Sequence, residues 1–222
     1  MFLKNRLFVF LLAALTFASV CAAQNDVHSI AERTDKHYNT LRTLQADFTE
    51  IYHGAGISRS ESGTLLLKRP GRMRWEYRQP REKLFLTDGR TAWFYVPGDR
   101  QARKTSIKNL DDLRSPLAYL LGKTKLEKEF KGLSLAPDIQ ALKPGNVVLR
   151  GVPQHMDSRI SDVIMEIAPD GSFQRLIAQE LDGSTTEFRF ENQRENAPMS
   201  DARFKFSPPA GVETVEASDL AE

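Results

Sequence analysis

The chain has 222 residues, of which 41% are hydrophobic and 27% are charged, so it is long enough for one domain with a sizeable core. It carries 31 Lys and Arg residues against 29 Asp and Glu residues. Nucleic-acid-binding domains normally show a clear basic excess, so this balance argues against nucleic acid as a partner.

The first 23 residues have the composition of a secretory signal peptide. Lys4 and Arg6 precede an apolar run at residues 7–20, which small residues follow. We expect cleavage near Ala22 or Ala23, so that residues 24–222 form a single exported domain. Removing residues 1–23 takes away two basic residues and leaves 29 residues of each sign.

The one cysteine, Cys21, lies in this cleavage region. A lipoprotein signal normally has a small residue just before its cysteine and leucine three positions before it. Val20 and Ala18 occupy those positions, which argues against a lipid anchor. We therefore expect a mature chain without cysteine, and this excludes disulfides, thiolate chemistry and Cys-based zinc sites.

A helix is predicted to start after Asn25 or Asp26, either of which can cap it, and to extend to about Thr43. Apolar residues recur along it at helical spacing and predict one buried stripe. The stripe consists of Val27, Ile30, Thr34, His37 or Tyr38, and Leu41. A first strand is predicted at residues 46–49, followed by a flexible tip at residues 54–56.

Residues 63–96 contain four short apolar runs separated by turn dipeptides. Met73, Trp75 and Tyr77 alternate with charged residues, so one face of that strand is large and apolar. Asp88-Gly89 between two apolar runs is a strong hairpin signal. The stretch predicts an antiparallel meander with an aromatic-rich inner face, and its runs are Leu65–Leu67, Met73–Tyr77, Leu84–Leu86 and Ala92–Val96.

The meander contains, in this order, Gly63, Lys68-Arg69-Pro70, Trp75, Gln79-Pro80, Asp88-Gly89 and Trp93-Phe94-Tyr95. In the order and spacing of these motifs it resembles the outer-membrane lipoprotein carrier proteins, the LolA family, and less closely their membrane-anchored acceptor relatives. The resemblance extends from residue 46 to residue 212, because the tail FKFSPPAGV at residues 204–212 also matches the family pattern. It implies a mainly β fold: an unclosed antiparallel β-barrel of about 11 strands, with short α-helices forming a lid over the concave apolar face.

Residues 109–130 interrupt the β pattern. Ser115-Pro116 favours a helix start, and Leu117, Leu120 and Leu121 then recur at helical spacing. The simplest assignment is a short helix that covers the sheet as a lid. One strand is predicted before this interruption, at residues 101–107. After it, strands are predicted at residues 133–135, 147–150, 163–167 and 176–180, and around Phe188 and Phe190, which alternate with charged residues.

No pattern in the sequence is typical of an enzyme. It lacks a Gly-x-Ser-x-Gly elbow, a phosphate-binding Gly-rich loop and a His-Glu-x-x-His motif. The four histidines do not have metal-ligand spacing, and helix capping is the simpler role for Asp111-Asp112. We therefore predict a protein that is not an enzyme and has no metal site.

The resemblance implies a periplasmic chaperone that holds the acyl chains of outer-membrane lipoproteins in a hydrophobic cavity. It would accept this cargo from the inner-membrane ABC release complex and deliver it to the outer-membrane acceptor, as a monomer and without a cofactor. A chain of ~16 carbons costs on the order of 12 kcal/mol to leave in water, so such cargo needs a carrier. We expect a cavity and lid formed by Met73, Trp75, Tyr77, Leu84, Leu86, Trp93, Leu117, Leu120, Leu121, Phe188 and Phe190.

Arg69 aligns with the arginine that, in this family, hydrogen-bonds backbone carbonyls of the lid helices and holds the empty cavity shut. A guanidinium suits this task because it is permanently charged and presents five donors in a planar fork. The resemblance implies that Arg69 binds the Leu117–Leu121 segment in the empty protein and releases it when acyl chains enter. Met73 stands where related carriers often have an aromatic residue, which leaves its part in docking to the release complex open.

Three alternatives remain. An anchored acceptor of the same fold is disfavoured by the weak lipoprotein signal and by the polar loop at residues 79–83. A lipoprotein-sensing interaction domain usually has a second domain or a membrane span, and we expect neither here. A hydrolase that uses the cavity as a substrate pocket would need a nucleophile beside a positioned base.

Overall fold

The computed structural model describes residues 27–107 and 125–217. The predicted signal peptide, its cysteine and the predicted lid residues Leu117, Leu120 and Leu121 lie outside the described residues. Within them, helix α1 occupies residues 27–40, helix α2 occupies Leu126–Glu129, and a 3-10 helix occupies Asp201–Phe204.

The described residues form twelve strands. They are β1 (Thr43–Gly54), β2 (Ile57–Lys68), β3 (Arg72–Gln79), β4 (Lys83–Asp88), β5 (Thr91–Tyr95), β6 (Gln101–Ser106), β7 (Phe130–Leu135), β8 (Val147–Pro153), β9 (Ile160–Ile167), β10 (Phe173–Glu180), β11 (Thr185–Glu195) and β12 (Glu213–Glu216).

All twelve strands belong to one sheet, in the order β12-β6-β5-β4-β3-β2-β1-β11-β10-β9-β8-β7. Neighbouring strands pair antiparallel except β12, which runs parallel to β6. The end strands β12 and β7 do not pair with each other, so the sheet is unclosed. The predicted mainly β, unclosed antiparallel architecture is confirmed, with β12 as a strand that the sequence did not indicate.

The sheet curves tightly around one face, here called the inner face, which carries Phe48, Trp75 and Phe188. Strands β3 and β11 are three positions apart in the sheet, which is about 14 Å when a sheet is flat. The ring centroids of Trp75 and Phe188 nevertheless lie 5.6 Å apart. Side chains from such distant strands meet because the sheet bends with this face on its inside.

Helix α1 packs on the inner face. The Tyr38 ring stacks on Phe173 of β10 at 4.9 Å, and the Tyr38 hydroxyl accepts a hydrogen bond from the Phe173 N–H. Gly171 permits this approach, because a Cβ there would lie 2.9 Å from the Arg33 carbonyl oxygen. The predicted apolar stripe is confirmed, but the helix ends at residue 40, because Thr43 already pairs in β1.

The C-terminal segment covers part of the opposite, outer face. Its 3-10 helix packs against β3 and β4, and Phe204 is buried there. Arg74 of β3 donates a hydrogen bond to the Arg203 carbonyl at 3.0 Å. Phe206 packs on Trp93 at 5.4 Å, so this region of the sheet has an apolar layer on both faces.

A loop covers the outer face over β9 and β10. The Glu166 carboxylate accepts hydrogen bonds from the Leu142 and Lys143 N–H groups and from the Asn146 amide. Glu166 is fully buried and pairs with Arg175 at 2.9 Å. This buried pair fixes the loop at residues 138–146. Within residues 27–107 and 125–217, the structure has no helix with both the length and the apolar character needed to cross a membrane.

Candidate functional site

The strand register aligns the inner-face residues of neighbouring strands. Trp75 of β3 lies opposite Leu65 of β2 and opposite Phe85 of β4. Phe48 of β1 lies opposite Gly63 of β2. Because alternate residues of a strand share a face, aromatic side chains from several strands converge on the inner face.

These side chains form an aromatic cluster. Phe48 meets Trp75 and Tyr77 edge-on, with ring centroids 4.6 and 4.9 Å away. Phe48 is 2% exposed and Trp75 is 4% exposed, and edge-to-face packing of this kind stabilises a core beyond its area alone. The aromatic cluster consists of Phe48, Trp75, Tyr77, Phe85, Phe188 and Phe190.

Gly63 makes this packing possible. The pairing of β2 with β3 shifts register between Ser62 and Gly63, and a Cβ at Gly63 would lie 1.9 Å from the Glu76 carbonyl oxygen. Any side chain here would collide with the neighbouring backbone. Because Gly63 has no side chain, the space between its two pairing partners stays open, and the Phe48 and Tyr77 rings meet there.

Charged side chains replace the aromatic residues towards the end of the inner face where β2 begins. Lys83 Nζ lies 2.7 Å from Glu61 Oε2, and both side chains are nearly buried, with 8% and 6% exposed. The Tyr77 hydroxyl donates a hydrogen bond to Glu50 Oε2 at 2.7 Å. Burial raises the pKa of the Glu50 carboxyl, since its charged form has lost much of its hydration.

The structure brings five of the predicted cavity residues together. Met73, Trp75, Phe188 and Phe190 are buried in one contiguous core, and Tyr77 packs against it. Their shared face follows from the alternation within β3 and β11 that the sequence displays. Their role in binding acyl chains stays a prediction.

The other three described residues of the predicted cavity, Leu84, Leu86 and Trp93, lie on the outer face. Leu86 pairs with Arg74, and Trp93 pairs with Leu86. The side chains of Leu84, Leu86 and Trp93 therefore point to the opposite side of the sheet from Phe85. The expectation that they share a face with Trp75 is therefore wrong. Leu86 is fully buried because the C-terminal segment covers it, not because it faces a cavity.

Arg69 lies just beyond the end of β2 and is half-buried. Its backbone N–H donates a hydrogen bond to the Arg42 carbonyl at 2.9 Å. This position is at the end of the inner face where Leu67 pairs with Met73, away from Lys83 and Glu61. The segment that it is predicted to hold lies outside the described residues, so the latch stays a prediction.

The sequence did not single out Phe48 or Phe85, although both belong to the aromatic cluster. The sequence does contain a feature that indicates Phe85: the connection between β3 and β4 is only residues 80–82. So short a connection sets Tyr77 opposite Lys83, and therefore Trp75 opposite Phe85. Among residues 27–107 and 125–217, no group of three or more His, Cys, Asp or Glu side chains is arranged to hold a metal ion. An aromatic surface of this kind can bind apolar chains.

Comparisons with known proteins give a consistent result. The family model described as "Outer membrane lipoprotein carrier protein LolA" matches residues 39–207. An outer-membrane lipoprotein carrier protein of Nitrosospira multiformis is 31% identical over 179 residues, which is 78% of this chain and 82% of the relative. The protein of the same description from Chromobacterium violaceum is 31% identical over 207 residues, or 92% of this chain and 96% of the relative.

The architecture also occurs in a solved structure of distant sequence. A conserved protein of uncharacterized function from Thermus thermophilus superposes with a TM-score of 0.57, over 86% of this chain and 99% of that one. The two sequences are 12% identical, so this similarity concerns the fold alone.

Proposed function

Because the chain belongs to the LolA family of outer-membrane lipoprotein carrier proteins, we propose that its inner face binds the acyl chains of lipoproteins and carries them across the periplasm. The cargo would come from the inner-membrane ABC release complex and pass to an outer-membrane acceptor. The carrier would act as a monomer and need no cofactor.

The observation that carries this proposal is the aromatic cluster of the inner face. Residues from β1, β3, β4 and β11 form a curved apolar surface on one side of the sheet. Burying a chain of about 16 carbons against such a surface offsets on the order of 12 kcal/mol of hydration cost. Aromatic rings and Met73 suit this task because they present large, adaptable apolar areas.

The centre of the aromatic cluster is closed to solvent in this structure, since Phe48, Trp75 and Phe85 are each less than 5% exposed. Cargo binding therefore requires an opening step. We propose that Arg69 holds the Leu117–Leu121 segment closed through hydrogen bonds to its backbone carbonyls, and that entering acyl chains displace it. Arg69→Lys keeps the charge but loses the planar fork, so it would weaken the latch almost as much as Arg69→Leu.

The two tryptophans provide a test of the binding face, because Trp75 lies on the inner face and Trp93 on the outer face. Trp93→Phe leaves Trp75 as the reporter, and Trp75→Phe leaves Trp93. A lipopeptide with brominated acyl chains should quench the fluorescence of the first variant strongly and that of the second weakly. Equal quenching of both variants would refute binding on the inner face.

Transport itself is tested with spheroplasts. The mature protein should release newly made lipoproteins from them as a soluble 1:1 complex. Arg69→Leu should still form this complex and pass the cargo to an acceptor more slowly than the unaltered protein. If the protein instead appears acylated in membranes and releases nothing, an anchored acceptor is the correct assignment.

A further inference from the structure

The inner face changes from apolar to charged within two residue positions along its strands. Next to Trp75 and Phe85 come Tyr77 and Lys83, which pair with each other across β3 and β4. In β2 and β1, Gly63 and Phe48 are level with Tyr77, and two residues further along each strand Glu61 pairs with Glu50. We call Tyr77, Lys83, Glu61 and Glu50 the polar cluster.

The polar cluster is a connected network. Lys83 Nζ bonds to Glu61 Oε2 at 2.7 Å and lies 4.6 Å from the centre of the Tyr77 ring. Tyr77 in turn donates to Glu50. Arg59 approaches Glu61 at 3.5 Å from the solvent side. Glu61 is buried and Glu50 is half-buried. Holding carboxylates beside an apolar surface is expensive, so a purely structural role would be better served by apolar residues.

The position of the polar cluster is also informative. It lies between the aromatic cluster and two adjacent hairpin tips, one joining β1 to β2 and one joining β10 to β11. His53 pairs with Thr185, so these tips are neighbours. Each tip carries an exposed apolar residue, Ile57 at 62% and Leu181 at 63%. An amphiphile whose chains lie on the aromatic cluster would therefore place its head at the polar cluster.

We propose that the polar cluster receives the neutral ester and amide groups of an acylated amino-terminal cysteine, and that its carboxylates exclude anionic lipids with the same chains. This inference rests on the proposed function and adds a basis for selectivity. The cargo polypeptide would leave the inner face over the hairpin tips at Ile57 and Leu181.

The physical basis is the charge of the head group. Lys83 and Arg59 both lie against the Glu61 carboxylate, whereas Glu50 accepts its hydrogen bond from the uncharged Tyr77 hydroxyl. A neutral head that both donates and accepts hydrogen bonds therefore suits the cluster. A phosphate in the cluster would come close to the Glu50 carboxylate, where repulsion is strong because water is partly excluded. Burial raises the pKa of the Glu50 carboxyl, and a phosphate nearby would raise that pKa further. Phosphate binding would therefore carry the added cost of protonating Glu50 or of holding two anions together.

Three probes with identical acyl chains separate chain binding from head recognition: a diacylglyceryl-cysteine peptide, diacylglycerol and phosphatidylglycerol. Affinities are measured by displacement of a fluorescent fatty-chain probe. The unaltered protein should bind the lipopeptide at least about tenfold more tightly than phosphatidylglycerol, with diacylglycerol between them.

Glu50→Gln removes one negative charge and keeps the side-chain shape. It should tighten phosphatidylglycerol binding by about fivefold or more relative to diacylglycerol binding. Glu76→Gln is the matched control, because Glu76 lies next to Tyr77 in the sequence but on the outer face. The double variant Glu61→Leu/Lys83→Met should lower lipopeptide affinity to that of diacylglycerol.

The outcomes separate this inference from the proposed function. If the unaltered protein binds none of the three probes, the proposed function fails. If it binds all three and neither Glu50→Gln nor the double variant changes their ratios, head recognition by the polar cluster is refuted while chain binding stands.

Discussion

The buried pair of Lys83 and Glu61 should show strong energetic coupling. The two side chains are joined at 2.7 Å, and less than a tenth of either is exposed. Glu61→Leu leaves the Lys83 ammonium buried with its carboxylate partner removed, and Lys83→Met leaves the Glu61 carboxylate. The double variant replaces both charges by apolar groups of similar length.

Removing one partner of a buried ion pair typically costs about 3–5 kcal/mol, because the remaining charge keeps its desolvation penalty. Replacing both partners is often neutral or stabilising by up to about 4 kcal/mol. Each remaining charge keeps some compensation, because Arg59 lies 3.5 Å from Glu61 and the Tyr77 ring centre lies 4.6 Å from Lys83 Nζ, so we expect both single changes to fall near the lower end of the range for removing one partner. In a domain of this size each kcal/mol corresponds to about 2–4 °C in Tm.

The four proteins of this cycle are compared by urea unfolding at neutral pH, followed by far-UV circular dichroism. The coupling energy is the stability of the double variant corrected for both single changes. The exposed pair of Arg81 and Asp99, at 3.0 Å and with 64% and 47% exposed, serves as control. Its coupling should stay within about 0.2–1 kcal/mol.

Single changes that each cost less than about 1 kcal/mol would refute the reasoning, since the pair would then behave as an exposed one. A double variant that loses the sum of the single costs would also refute it. That result would mean that Lys83 and Glu61 act independently, despite their contact.

Three further predictions concern the site and helix α1. Glu50→Gln should stabilise the protein at neutral pH, because the native state favours the uncharged form of a carboxyl whose pKa is raised. The gain in urea unfolding should shrink as pH falls below the raised pKa and vanish below the ordinary glutamate pKa. A loss of more than about 1 kcal/mol at neutral pH would contradict this. The hydrogen bond to Glu127 raises the pKa of His28, so this contact between α1 and α2 should stabilise the fold below the ordinary histidine pKa and weaken as pH rises through the raised one. An NMR titration of His28 checks this, and a titration midpoint at or below that of a model histidine peptide would be inconsistent with it. Gly63→Ala should lower the free energy of unfolding by about 2 kcal/mol or more, measured by thermal unfolding, because the alanine Cβ would collide with the Glu76 carbonyl. A change within about 0.5 kcal/mol would instead show that β2 and β3 separate easily at this point.

Much of the architecture follows from local sequence. Alternation within Met73–Tyr77 and around Phe188 and Phe190 predicts strands with one apolar face, because successive side chains of a strand point to opposite sides. Turn dipeptides such as Asp88-Gly89 mark where each strand ends, since their backbone conformations suit tight hairpins. The apolar stripe of α1 likewise predicts which side of that helix packs on the sheet.

The faces of β4 and β5 were not predictable in this way. Leu84, Phe85 and Leu86 are all apolar, and so are Trp93 and Phe94, so local periodicity does not distinguish the two sides. Both faces of β4 and β5 can carry apolar residues because Phe204 and Phe206 of the C-terminal segment cover the outer face and give its side chains an apolar environment. Strand register with β3 then decides that Phe85 faces inwards, and a slip of one residue would reverse every side chain.

The parallel strand β12 also depends on tertiary structure, because Glu213–Glu216 has no apolar run and gains its order by pairing with β6. The polar cluster is a similar case. Glu50, Glu61 and Lys83 resemble ordinary surface residues of three strands, and only the curvature and register of the sheet bring them together on the inner face. Local sequence therefore determined the strands and most of their apolar faces, because side-chain alternation is a short-range property. Which faces meet, and which charges are buried beside them, was decided by long-range pairing between segments far apart in the chain.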